Sequence, residues 1–142
     1  MYRKILIALD NSPVDASLLP HVTELALRFG SEILLLHVAD GFAARWFDQM
    51  KLAESEEMKA DREYLEKIAA GLREKKLLVE TRLALGNPPT EILKAAEGEK
   101  CDLIAMAGHG HRLFGDIFHG STITEVRHQT SIPILVVRGQ KK

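Results

Sequence analysis

The stretch of sequence that decides the fold is DLIAMAGHG at residues 102–110, which is followed by GS at residues 120 and 121. Its first half is a short, continuous apolar run, which predicts a buried parallel strand. Glycines follow that strand directly, and a segment of helical period begins near Ser121. The backbone N–H groups and the dipole of a helix N-terminus both favour an anion. The pattern therefore predicts a phosphate-binding loop between a strand and a helix.

Short apolar runs alternate with helical segments along the chain, residues 1–142. We predict strands at 5–9, 33–38, 77–85, 103–107 and 134–137, and helices at 12–29, 52–75, 87–98 and 121–129. This order predicts one doubly wound α/β domain, with helices on both faces of a five-stranded parallel sheet. Right-handed crossovers leave few topologies, and the commonest place the first and fourth strands side by side. Asp10 and Gly108 then lie on the crevice where ligands bind.

Local signals predict how individual elements begin, end and pack. Ser12 is the expected cap of the first helix, and Gly30 is its expected stop. The apolar positions of that helix predict a buried face made of Leu18, Val22, Leu25, Ala26 and Phe29. The mixed composition of residues 77–85 is typical of an edge strand. Thr122 and Glu125 have capping-box spacing at the start of the last helix.

Composition limits the classes of partner. The chain has 142 residues, 46% of them hydrophobic and 27% charged, which is ordinary for a single globular domain. Its 19 basic and 20 acidic residues give a formal charge of −1, so we expect neither nucleic acid nor an anionic membrane as partner. No apolar run approaches the ~20 residues of a membrane helix. The lone Cys101, expected to be a packed thiol, fits a reducing compartment, and we expect a soluble cytoplasmic protein.

Other phosphate-handling folds lack their motifs here. The first strand runs into LDNSP at residues 9–13, which contains neither G-x-G-x-x-G nor a Walker lysine. A dinucleotide dehydrogenase and a P-loop NTPase are therefore disfavoured. A receiver domain needs an acceptor aspartate after the third strand, but residues 84–86 read ALG.

Asp10 and the six histidines carry the remaining candidate chemistry. The Asp10 carboxylate can bond a ribose hydroxyl or a Mg²⁺-bound water, or it can form an Asx turn. His109, His111, His119 and His128 surround the glycine loop, but zinc needs three or four ligands of suitable geometry. We expect no metal ligands among them, and we expect His111 to donate to phosphate oxygens. His21 and His37 are expected to be packed or surface residues without a functional role.

Segments spread along the whole chain carry a family resemblance: KILIALDNS at 4–12, LLLHVA at 34–39, GNP at 86–88, and residues 101–137, which end in SIPILVV. The chain resembles the universal stress protein family. The ATP-binding branch of that family has the motif G-x2-G-x9-G-[ST]. Here the motif reads Ala107-x2-Gly110-x9-Gly120-Ser121 and departs only at the first glycine.

The resemblance implies the strand order 3-2-1-4-5 and a cofactor, ATP, with or without Mg²⁺. It implies adenine contacts at Ala8, Leu9, Asp10 and Val38. It implies phosphate contacts at Gly108, Gly110, His111, Gly120, Ser121 and Thr122, with Met106 and Ala107 leading into that loop. Members of the family usually dimerise through the last strand, here residues 134–137, and an apolar edge strand is a physically sensible association site.

Ala107 keeps more than one functional hypothesis open. If the first motif position needs a positive φ or a very close phosphate, the alanine methyl group costs affinity. The first hypothesis is a homodimeric ATP-binding module of the stress response, without catalytic residues and with slow or no hydrolysis, that signals to an unknown protein partner. The second is an interaction protein with a vestigial pocket, acting through its dimer surface or the aromatic loop at 42–47. The third is a slow Mg²⁺-dependent ATPase or phosphotransferase that uses Asp10.

Overall fold

The computed structural model describes residues 1–39, 56–108 and 120–139. Within these ranges, five strands and four helices alternate along the chain. In order they are β1 (Lys4–Leu9), α1 (Asp15–Phe29), β2 (Glu32–Ala39), α2 (Glu56–Glu74), β3 (Val79–Leu85), α3 (Pro88–Gly98), β4 (Leu103–Gly108), α4 (Gly120–Gln129) and β5 (Ile134–Arg138).

The strands form one parallel sheet in the order β3-β2-β1-β4-β5. The central strand β1 pairs with β2 and with β4, so that Ile5 lies opposite both Ile33 and Leu103. β3 and β5 are the two edges of this sheet. The predicted doubly wound fold, the adjacency of the first and fourth strands and the edge position of the third are confirmed.

Two hydrophobic cores lie on opposite faces of the sheet. Alternate residues of β1 point to alternate faces, and both Ile5 and Leu6 are completely buried. On one face the strands pack against α1 and α2, through side chains such as Leu18 and Leu65. On the other face they pack against α3 and α4, through side chains such as Ile92 and Val126. The continuous apolar runs of the central strands follow from this double coverage.

The first helix begins later than predicted, but it stops as predicted at Gly30, which adopts a left-handed conformation. It begins at Asp15 rather than after a Ser12 cap, and Val14 occupies the cap position without a side-chain hydrogen bond. Residues 12–17 form tighter turns first, with Asp15 N–H donating to Ser12 O at 3.1 Å. The predicted burial of Phe29 is wrong, because this residue of the last turn is 44% exposed. Its ring meets Tyr2 edge-on, with the centroids 5.5 Å apart, on the rim of the core.

The remaining elements begin within a few residues of their predicted positions. α2 begins at Glu56, and residues 52–55 of the predicted helix lie outside the described ranges. α4 begins at Gly120, so Thr122 lies inside its first turn and is buried. The aromatic loop at 42–47 also lies outside the described ranges. None of the described helices is long and apolar enough to cross a membrane.

Candidate functional site

The crevice predicted from the sequence lies where β1 and β4 leave the sheet. These strands pair in parallel from Ile5 opposite Leu103 to Ile7 opposite Ala105. Both strands therefore end on the same side of the sheet, its carboxyl-terminal edge. Asp10 follows β1, and Gly108 is the last residue of β4. The first turn of α4 also lies here, because a Cβ on Gly108 would lie 3.8 Å from Ile123 Cδ1. Two strand ends and a helix N-terminus therefore meet at this edge.

The predicted site residues differ in how they can meet a ligand. Five have buried side chains that belong to the two hydrophobic cores: Ala8, Leu9, Val38, Met106 and Ala107. A ligand at the sheet edge would meet the backbone of these residues. Gly120, Ser121 and Thr122 form the first turn of α4. Gly110 and His111 lie outside the described ranges, as do His109 and His119.

Ala107, which departs from the family motif, is an ordinary strand residue. It pairs with Val137 in the register of β4 and β5. It is not among the residues with a positive φ. Its methyl group is 1% exposed and packs in the core on the α1 and α2 side. The backbone at this position therefore has no need of glycine's conformational freedom.

Gly108 is the residue at which β4 needs a glycine. A Cβ at this position would lie 2.8 Å from Val136 Cγ1, closer than carbon atoms normally approach. Val136 belongs to the neighbouring strand β5, and its branched side chain is stiff. Packing within the sheet is therefore sufficient to explain why residue 108 is a glycine.

Asp10 is a buried carboxylate at the end of β1, with 4% of its surface exposed. Its Oδ2 accepts a hydrogen bond from the Ser12 hydroxyl at 2.7 Å. Its backbone N–H donates to Asp15 Oδ1 at 2.9 Å. Of the two expected roles for Asp10, local hydrogen bonding is therefore present in the structure.

A polar cluster behind Asp10 was not foreseen from the sequence. Asp15 accepts the backbone N–H of Asp10 on Oδ1 and that of Asn11 on Oδ2, each at 2.9 Å. The Tyr64 hydroxyl also donates to Asp15 Oδ2, at 2.6 Å. Burial raises the pKa of Asp15 above its ordinary value of 3.8, although these hydrogen bonds oppose the shift. Burial and the bond to Asp15 also raise the pKa of Tyr64.

His37 and Asp61 extend this cluster to β2. His37 is buried, and its Nδ1 lies 2.9 Å from Leu9 O. Its Nε2 lies 3.5 Å from Asp61 Oδ2. Asp61 Oδ1 accepts a hydrogen bond from Asn11 Nδ2 at 2.6 Å. A sequence signal was available, because Asp61 lies on the apolar stripe of α2, at helical spacing from Met58 and Leu65.

Among the described residues, the other titratable candidates of the sequence lie away from this edge or are exposed. His21 is exposed, and so is His128 in the last turn of α4. Cys101 is a buried thiol just before β4, as predicted, and burial raises its pKa to about 11. Across the part of the chain that the structure describes, no group of three or more histidine, cysteine or acidic residues could hold a metal ion.

Comparison with known proteins gives the family. A family model described as "Universal stress protein family" matches residues 1–138. Universal stress protein MJ0531 of Methanocaldococcus jannaschii is 30% identical over 149 aligned residues, covering 100% of this chain and 85% of that protein. Universal stress protein MJ0577 of the same organism is 30% identical over 158 aligned residues, covering 97% of this chain and 96% of that protein.

Solved structures agree with this assignment. The structure of hypothetical protein MJ0577 has a TM-score of 0.79 to this chain at 28% identity and covers 100% of this chain and 99% of its own. A universal stress protein from Archaeoglobus fulgidus in complex with dAMP has a TM-score of 0.70 at 19% identity, covering 96% of this chain and 98% of its own, and supports the fold. By its sequence match from residue 1 to residue 138 and by its fold, the chain belongs to the universal stress protein family.

Proposed function

We propose that this protein is a cytoplasmic nucleotide-binding module of the stress response that holds ATP, with or without Mg²⁺, between the ends of β1 and β4. The observation that carries the proposal is the meeting of Asp10, Gly108 and the first turn of α4 at one edge of the sheet. Ligands of open α/β sheets bind outside the carboxyl ends of the strands where the strand order reverses. In this sheet that position lies between β1 and β4.

The proposed site divides into an adenine end and a phosphate end. At the adenine end, the backbone of Ala8, Leu9 and Val38 contacts the base, and the Asp10 carboxylate accepts a ribose hydroxyl. At the phosphate end, the chain from Met106 and Ala107 leads into the anion-binding residues Gly108, Gly110, His111, Gly120, Ser121 and Thr122. The first-turn N–H groups of α4 supply the positive end of the helix dipole.

A relative of the same fold supports a nucleotide as the ligand. The universal stress protein from Archaeoglobus fulgidus was solved with dAMP. This fold therefore accommodates an adenine nucleotide, while the preference of this chain for three phosphates rests on its glycine-rich segment at 108–121.

We propose that any hydrolysis is slow, below the ~1 s⁻¹ of a slow enzyme. Phosphoryl transfer to water needs an oriented nucleophile and compensation of the developing charge. The Asp10 carboxylate is the candidate base, and it already accepts the Ser12 hydroxyl. Asp10→Asn tests the alternative of a Mg²⁺-dependent ATPase, because turnover that survives this change would exclude Asp10 as the catalytic residue.

We also propose a homodimer formed through β5. This strand is an edge of the sheet, and Val136 on it is 45% exposed. Unpaired backbone groups on an apolar edge strand favour pairing with a second copy. Sedimentation should show a dimer for the wild type and for Leu78→Lys, an exposed position beside the opposite edge, but a monomer for Val136→Lys. A dimeric Val136→Lys variant would contradict this interface.

The exposed edge strand β5 also favours a second candidate function, that of a dimeric interaction protein which binds no nucleotide. Its partner would then contact the dimer surface, and the crevice would be vestigial. A protein that dimerises through β5 but does not bind ATP would favour this second function over the first.

Two matched serine variants test the phosphate end. Ser121→Ala removes a hydroxyl from the first turn of α4, whereas Ser131→Ala removes one from the opposite end of the sheet, before β5. Loss of a hydrogen bond to a charged phosphate should weaken ATP binding about tenfold or more in Ser121→Ala. Competition against a fluorescent ATP analogue measures both. Equal affinities in the two variants would exclude the proposed phosphate contact.

A further inference from the structure

Four buried or half-buried polar side chains lie behind the proposed site without belonging to it. They come from three elements: Asp15 from α1, His37 from β2, and Asp61 and Tyr64 from α2. All four act directly or through one partner on the backbone of residues 9–11, which carries Asp10. Burying four such groups is costly unless they are paired, so their convergence on one short segment needs an explanation.

Asp15 fixes the bend that follows β1. It binds two successive N–H groups, those of Asp10 and Asn11, with its two carboxylate oxygens. Asn11 has a φ of 57°, a left-handed conformation that asparagine adopts more readily than most residues. The Tyr64 hydroxyl donates to the same carboxylate, so α2 fixes the side chain that fixes the bend.

His37 and Asp61 hold the same segment from the other side. His37 Nδ1 donates to Leu9 O, and the next residue on β2 is Val38, at the proposed adenine end. Asp61 lies against His37 Nε2 and also accepts the Asn11 amide. The ends of β1 and β2 are therefore joined to each other and to α2 through one histidine and one carboxylate.

His37 links β1 to α2 through both of its ring nitrogens. Both of its ring nitrogens face acceptors, the Leu9 carbonyl and the Asp61 carboxylate. A neutral imidazole has only one N–H, so it can donate to one of these acceptors and must point a lone pair at the other. The ring donates from Nδ1 to the Leu9 carbonyl, so Asp61 meets the other ring nitrogen, 3.5 Å away.

We propose that Asp61 and Tyr64 of α2 are positioning residues for the nucleotide site, acting through His37 and Asp15 on the backbone of residues 9–11. This inference rests on the proposed nucleotide binding and deepens it. The segment they hold carries Asp10, and a ribose or base contact depends on where that backbone lies.

Among the residues that the structure describes, the polar groups gathered on this side of the sheet include Asp10 after β1, Asp15 on α1, and Asp61 and Tyr64 on α2. The register partner of His37 on β3 is Leu83, which carries no charge. Asp61 lies against the ring, so its replacement tests the positioning role directly.

The first test compares affinity with stability. Asp61→Leu and Tyr64→Phe each cut a link to the segment, while Leu72→Ala creates a packing defect on the same face of α2, three turns away. ATP affinity, measured by calorimetry, should fall about tenfold in Asp61→Leu and less in Tyr64→Phe. It should stay within about twofold of wild type in Leu72→Ala, even where that variant melts earlier. Affinity that simply follows melting temperature in all three variants would overturn the proposal.

The second test uses the conservative variant. In Asp61→Asn, the side-chain oxygen can still accept from Asn11, and the side chain can still lie against His37. ATP affinity should stay within about threefold of wild type in Asp61→Asn but fall about tenfold in Asp61→Leu. Binding by Asp61→Asn as weak as that by Asp61→Leu would overturn the positioning role. A wild type that binds no ATP would overturn the proposed function itself.

Discussion

Gly139 donates its backbone N–H to the Gly108 carbonyl at 2.7 Å, so the chain after β5 stays beside the end of β4 at the crevice. The same glycine lies against the start of α1, because a Cβ on it would stand 2.6 Å from Val14 Cγ2. Through these two contacts, Gly139 connects the ends of β4 and β5 with the turn that leads into the first helix. The close approach leaves no room for a side chain.

Gly139→Ala should therefore destabilise the protein by about 1–3 kcal/mol, the usual cost of forcing an extra carbon into a packed position. Urea denaturation measures the change. The double variant Gly139→Ala with Val14→Ala should lose less than the sum of the single changes, because the second substitution removes the clash. Strict additivity of the two changes would contradict the contact.

Ala107→Gly should leave ATP affinity within about threefold of wild type. The methyl group is buried in the core on the α1 and α2 side of the sheet. Removing it should cost about 1–2 kcal/mol of stability, from lost apolar burial and from glycine's greater freedom in the unfolded chain. Calorimetric titration and urea denaturation measure the two quantities. A large gain in affinity would mean that the native alanine obstructs the pocket.

Cys101 should react slowly with iodoacetamide in the folded protein. Burial raises the pKa of this thiol from 9.0 to about 11, so the reactive thiolate is scarce at pH 8. That shift alone slows alkylation roughly 100-fold, and the buried position slows it further. The control is the same reaction in denaturant, where the rate should be that of an ordinary thiol. Equal rates in the two conditions would show that Cys101 is exposed.

An ion-pair cluster at the amino end of the sheet makes stability depend on pH. Lys4 Nζ lies 3.0 Å from Glu80 and 3.1 Å from Glu99, and Arg82 lies 2.6 Å from Glu99. Burial by itself lowers the pKa of Lys4, but the two glutamates outweigh it and raise the pKa above 10.5. Lys4 and Arg82 lower the pKa of Glu99 below 4.5. The stabilisation is therefore present between these values and is lost in acid and in strong base.

Glu99→Gln should destabilise the protein at pH 7, and the difference from wild type should shrink as the pH falls below 4.5 and Glu99 takes up a proton. Urea denaturation at several pH values measures this. Glu24→Gln is the matched control, because its pair with Arg28 is largely exposed, with side chains 65% and 74% accessible, and exposed pairs contribute little. A Glu99→Gln penalty that persists unchanged in acid would contradict the charged pairing.

The parallel sheet was predictable because the central strands are apolar on both faces, whereas its full strand order was an implication of the family resemblance. The continuous apolar runs around Ile5, Ile33 and Leu103 reflect burial between two helix layers. Such a run can be recognised from the local sequence alone. The start of α3 was also predictable, because Asn87 accepts the Thr90 N–H at 3.2 Å within four residues of sequence. Where a feature depends on neighbouring residues, the sequence was a sufficient guide.

The polar cluster behind Asp10 was not predictable in the same way. Its decisive contacts join residues about fifty positions apart, Asp15 with Tyr64 and Asn11 with Asp61. The sequence predicts Ser12 as the cap of the first helix, three residues before Asp15. In the structure the Asp15 carboxylate binds the backbone of the preceding turn. Phe29 was misplaced for a related reason, since helical period gives the direction of a side chain but not whether the sheet extends far enough to cover it.

The proposed function depends most on a crevice that recognises the phosphates of ATP. The direct measurement is calorimetric titration of nucleotide-free wild-type protein with Mg²⁺-ATP and, separately, with AMP. We predict saturable binding of ATP in the micromolar range, on the order of −8 kcal/mol, and binding of AMP at least tenfold weaker. AMP binding as tight as that of ATP would contradict the phosphate loop, and no binding of either nucleotide would contradict the nucleotide site.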